Sequence, residues 1–123
     1  MTLAATLMAI GRIALGLFFV VAGVRNFLRF AQRVEMATNY GWRLGAAATA
    51  AGFATQLVAG AAVMLGVGAV WGALALIAFL IAATALFHNP LMFAGEARLP
   101  HIYFTLVNAA LVGYCLMVIG AAL

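Results

Sequence analysis

Charge is what this sequence has least of. Only 7% of its 123 residues are charged, six Lys/Arg against two Asp/Glu, while 69% are hydrophobic. A soluble domain carries roughly 25% charged residues, so this chain has too little polar surface to cover itself in water. Cysteine is nearly missing too. The single Cys115 lies in the last apolar run and excludes an intramolecular disulfide, a C-x-x-C redox pair and a Cys-rich metal site. Carboxylates are confined to Glu35 and Glu96, both between apolar runs. Two histidines without a carboxylate inside those runs make a poor ligand set, so no metal site is expected. The formal charge of +4 and pI near 10.3 do not point to nucleic acid, because a phosphate backbone needs a broad solvated basic face that is absent here. The N-terminus lacks the positive n-region of a signal peptide, so the first run is expected to stay as a helix.

What is present is uncharged length. From Leu44 to Phe87 nothing ionises, and from Leu99 to Leu123 there is no Asp, Glu, Lys or Arg and one histidine, His101. A bilayer-spanning helix needs about 20 apolar residues. The expectation is an all-α integral membrane four-helix bundle, one domain over 1–123, with spans near 3–24, 45–66, 69–87 and 102–122. Gly66-Val67-Gly68 interrupts the long run and forces a tight hairpin, and Pro90 and Pro100 bracket the last connection.

The scarce charge is also unevenly placed. Arg25, Arg29, Arg33 and Arg43 crowd between the first two runs, and Arg98 falls in the loop after the third, on the same side. Short arginine-rich loops stay in the cytoplasm, so both termini are expected outside and these two loops inside. Arg25, Arg29 and Arg33 recur every fourth residue, with Phe27, Phe30, Ala31 and Val34 opposite. That pattern predicts a short interfacial amphipathic helix over 25–36 whose arginines meet lipid headgroups. The alternative is an arginine cluster that recruits an acidic soluble partner. Tyr40 and Trp42 suit the aromatic belt at the start of the second span.

Polar residues within spans are costly and face the bundle interior. Arg12, Gly16, Phe19, Gly23 and Asn26 form one stripe on the first span, and Ala48, Gly52, Gln56 and Gly60 another on the second. Such small-residue rows let helix backbones approach closely, within the bundle or between copies in a homo-oligomer. Thr84 and His88 are one turn apart on the third span, and His101, Thr105, Asn108 and Cys115 share a face of the fourth. By sequence position Arg12 and Gln56 fall near mid-membrane, Thr105 and Asn108 higher, and His88, Asn89 and His101 at the cytoplasmic rim. Arg12 must find Gln56, Asn108 or backbone carbonyls, snorkel outward, or meet a bound anion or polar ligand. The candidate ligand-binding residues are therefore Arg12, Asn26, Gln56, His88, His101, Thr105 and Asn108. No nucleophile–base constellation is evident, so no catalytic residue is assigned.

The chain resembles the DoxX family of small four-helix bacterial membrane proteins. "GRIALGLFFVVAGVRNF" (11–27) resembles its first-span pattern, "FATQLVAGAAVMLG" (53–66) the second, "LFHNPLMF" (86–93) the His-containing exit of the third, and "VNAALVG" (107–113) the fourth. Where family members carry a basic residue near the end of span one, an acid in span two and a lysine in span four, this chain has Asn26, Gln56 and Val107. Losing both signs together avoids an unpaired buried charge. The resemblance implies an accessory subunit of a quinol oxidase or thiosulfate:quinone oxidoreductase system, or a membrane partner in an oxidative-stress complex. On this reading a quinone-like or other small polar-headed ligand occupies a pocket around Arg12, Gln56 and Asn108, no cofactor is intrinsic, and redox chemistry comes from a partner protein. The competing reading is a small transporter or channel-like module for a neutral or anionic metabolite, with Arg12 as its anion site.

Overall fold

Helix begins where the first apolar run does. Thr2 caps α1 (Leu3–Leu28), its hydroxyl accepting from the Ala5 amide at 3.0 Å. The computed structural model describes all residues, 1–123. After α1 come a one-turn helix α2 (Phe30–Val34), then α3 (Ala46–Leu65), α4 (Ala69–Phe87), two short 3₁₀ turns, and α5 (Arg98–Ala122). No strand forms, and the loop between α2 and α3 holds one isolated bridge, between Ala37 and Arg43. Four helices, α1, α3, α4 and α5, are long and apolar enough to cross a membrane. Only 16 of 123 residues are buried. Leu17, Phe18, Val58, Ile81 and Leu106 all point outward from mid-helix, an arrangement that only hydrocarbon tolerates.

The helices pack in chain order: α1 on α3, α3 on α4, α4 on α5, while α1 and α5 scarcely touch. Glycine sets the closest approach. A methyl group on Gly16 would lie 2.5 Å from the Gly60 carbonyl oxygen, and one on Gly60 would lie 2.9 Å from Phe19 Cβ. The α1 stripe read from the sequence is thus the face that meets α3, with Phe19 only 1% exposed at its centre. Gly72 does the same between α4 and α3, its added methyl meeting the Ala59 carbonyl at 2.9 Å. Around these contacts sit Leu15, Val63, Ala73, Leu76, Leu80, Cys115 and Val118.

Two expected boundaries shift. The interfacial helix does not run over 25–36. Helix α1 continues to Leu28, so Arg25 belongs to the span, and Arg29 leaves helical geometry at φ −113°, ψ 26°. The break lets Phe27 and Phe30 fold over Phe53 of α3, with ring centroids 5.7 and 6.3 Å away, so only five residues remain helical after it. Helix α5 starts at Arg98, ahead of position 102, and takes Pro100 into its first turn. There proline's missing N–H costs nothing, because first-turn amides have no intrahelical acceptor.

Candidate functional site

The polar groups within the bundle fall into three separate layers. The first surrounds Arg12. Helix α3 ends in a Schellman turn: Gly66 adopts φ 73°, its N–H reaches the Val63 carbonyl at 3.3 Å, and Val67 N–H reaches Ala62 at 3.1 Å. Arg12 completes this end from another helix. Its Nη1 donates to the carbonyls of Val63 at 2.8 Å and Met64 at 2.9 Å. A cation belongs at a helix C-terminus, where the carbonyls and the macrodipole present partial negative charge. Of the partners open to Arg12 in the sequence, backbone carbonyls are the ones it takes.

The second layer is the pair Asn26–Gln56. Asn26 Nδ2 donates to Gln56 Oε1 at 2.8 Å, and Gln56 is buried against Gly23. From Gln56 to Met64 is eight residues of α3, about 12 Å, so Arg12 and Gln56 lie at different depths and share no hydrogen bond.

The third layer joins α4 to α5 on the arginine-rich side. Asn108 Nδ2 donates to Thr84 Oγ1 at 2.9 Å. One turn higher, the Thr105 hydroxyl lies within reach of two carbonyls, His101 at 2.8 Å and His88 at 3.0 Å. The two imidazoles face each other with Nδ1 atoms 3.3 Å apart. Each is held by an aromatic ring: Phe93 stacks on His101 at 3.7 Å and 9°, and Phe104 on His88 at 4.6 Å and 27°. His88 lies just past the last residue of α4. A neutral pair shares one proton between facing nitrogens, whereas two imidazolium rings would oppose two donors.

Beside this layer a cleft of about 560 Å³ opens between α4 and α5. Leu80, Ile81 and Val112 form its apolar walls, and Thr84, Thr105 and Asn108 its polar edge, with Asn89 at the mouth. Thr84 donates no hydrogen bond, and Asn108 Oδ1 accepts none within the chain. One hydroxyl donor and one carbonyl acceptor are left over there.

The structure thus brings together His88, His101, Thr105 and Asn108, pairs Asn26 with Gln56, and sets Arg12 apart. Thr84 was legible only as a neighbour of His88; its bond to Asn108 needs the α4–α5 register. Asn39 and Tyr40 also serve a role that sequence reasoning missed. Asn39 N–H donates to Leu86, while Asn39 Nδ2 at 3.1 Å and Tyr40 Oη at 3.3 Å reach the Ala85 carbonyl. The loop thereby caps the end of α4, and only the asparagine before the aromatic pair hinted at it. Arg25 and Arg29 are exposed, and Arg33 is half-buried with Nη1 3.6 Å from Met36 Sδ.

The DoxX family model matches residues 7–89, through the first three spanning helices and the His88 exit. The chain belongs to the DoxX family. No curated protein and no solved structure matches it. The DoxX match takes in Arg12, Asn26, Gln56, Thr84 and His88, while the α5 half of the third layer follows it in the chain.

Proposed function

We propose that this DoxX protein is a non-catalytic accessory subunit of a membrane redox or stress-response system, and that its α4–α5 cleft holds a quinone-like ligand. The observation that carries this reading is the unspent hydrogen-bonding capacity of Thr84 and Asn108 on an otherwise apolar cleft. Ligand sites are concave, mostly apolar and furnished with a few placed polar groups, and polar groups left unpaired in hydrocarbon are costly. A quinone carbonyl accepts from the Thr84 hydroxyl, and a quinol hydroxyl also donates to Asn108 Oδ1. The bound quinone would supply two-electron redox capacity. The residues of this chain bind and orient it, and the electrons come from a partner protein.

In this reading the arginine-rich loops lie on the cytoplasmic face of a bacterial inner membrane. Arg25, Arg29 and Arg33 there hold anionic headgroups, each contributing on the order of 1 kcal/mol, or the redox partner.

Quinone extraction and mass spectrometry of the purified protein, followed by titration with a short-chain quinone, test the reading. Co-purified quinone and binding weakened roughly tenfold by Asn108→Leu are expected. A protein that carries no quinone and binds none on titration would sink it. Metabolite flux in proteoliposomes that stops with Arg12→Leu would instead favour a transporter.

A further inference from the structure

Helix α1 runs past the end of α3. Nine of its residues, Leu3–Gly11, precede Arg12, which bonds the last α3 carbonyls, and none of the nine is charged. The end of α5 packs beside the start of α4, where Ala69 lies against the core that holds Val118. Between the ends of α1 and α5, which scarcely touch, lies a cavity of about 790 Å³. Leu7, Met8, Met117 and Val118 line its sides, and Arg12 and Tyr114 are its polar members.

Arg12 is incompletely used. A guanidinium carries five N–H donors, and only Nη1 is engaged, with the Val63 and Met64 carbonyls. The Nη2 and Nε hydrogens have no acceptor in the chain, yet neither nitrogen is fully buried. Tyr114 Oη also makes no hydrogen bond, and it lies so near Gly11 that a methyl group there would collide with it. Local charge is unbalanced as well. The α3 C-terminus offers only roughly −0.5, which offsets part of the guanidinium charge and leaves the rest. No Asp or Glu lies in any span to neutralise it, since Glu35 and Glu96 are in the loops at the other end.

We infer that this cavity binds an anionic amphiphile drawn from the bilayer. Its carboxylate or phosphate head pairs with Arg12 and accepts from Tyr114, and its chain lies between α1 and α5. The apolar flanks select the chain, and the spare guanidinium donors select the charge. The site is independent of the α4–α5 cleft at the other end of the bundle.

Native mass spectrometry of the full chain, released from phosphatidylcholine nanodiscs doped with palmitate or oleoyl lysophosphatidate, tests the assignment. One adduct per chain is expected with at least one of the two acids, and the more strongly retained acid identifies the head. Methyl palmitate and acetate are expected to give none. Arg12→Gln should reduce the adduct roughly ten- to a hundredfold. Because Arg12 also caps α3, Ala121, which lines the same cavity, provides a second probe: Ala121→Trp fills the cavity, leaves the guanidinium in place, and should abolish the adduct. Failure of both acids, equal retention of methyl palmitate, binding of acetate alone, or an adduct that survives Ala121→Trp would each overturn the assignment.

Discussion

Asn26 and Gln56 meet across α1 and α3 in a single 2.8 Å bond, one turn from the contact between Gly23 and the Gln56 side chain. The two neutral amides satisfy each other without a buried charge. Gln56→Leu should destabilise the bundle by about 0.6–1.7 kcal/mol, the range for interhelical hydrogen bonds in membranes. Asn26→Leu with Gln56→Leu should cost less than the sum of the single changes. A double-mutant cycle from denaturant unfolding in mixed micelles measures the difference.

Glycine position decides the tolerance to added bulk. Gly16→Val pushes a branched side chain into the Gly60 carbonyl and the Met64 amide, both 2.5 Å from where its Cβ would stand. A loss of about 1–3 kcal/mol is expected. Gly113 has no neighbouring atom within 4 Å of an added methyl, and Gly113→Ala should leave stability unchanged or raise it by up to about 1 kcal/mol. Thermal unfolding of the two variants side by side checks the contrast.

Removing the Arg12 cap should fray the end of α3. Arg12→Met leaves the Val63 and Met64 carbonyls without their charged donor, at a cost of about 1.5–3 kcal/mol. Arg12→Lys should recover only part of it, because an ammonium is a point donor and not a planar fork. Hydrogen exchange at the amides of Gly66 and Val67 should accelerate in both variants, more in Arg12→Met.

The surface ion pair should matter little. Arg43 Nη1 lies 2.8 Å from Glu35 Oε2, but the side chains are 62% and 64% exposed. Glu35→Gln is expected to shift stability by less than about 1 kcal/mol, read by the same unfolding assay.

Four crossings, the hairpin at Gly66–Gly68 and the arginine-rich side could all be read from the chain, because bilayer thickness turns uncharged length directly into spans. The stripe Arg12, Gly16, Phe19, Gly23 and Asn26 was equally legible, since a 3.6-residue period fixes which residues share a face. Partner and depth are another matter. Arg12 and Gln56 looked level when counted from sequence positions alone, yet α1 projects past the end of α3, so the arginine meets the Val63 and Met64 carbonyls and the glutamine meets Asn26. His88 and His101, thirteen residues apart, become neighbours only once the connection folds and Phe93 and Phe104 flank them. Periodicity acts within one helix and is written in one dimension. The offset of one helix against another is set by where glycines let backbones touch, and that was decided by the tertiary structure.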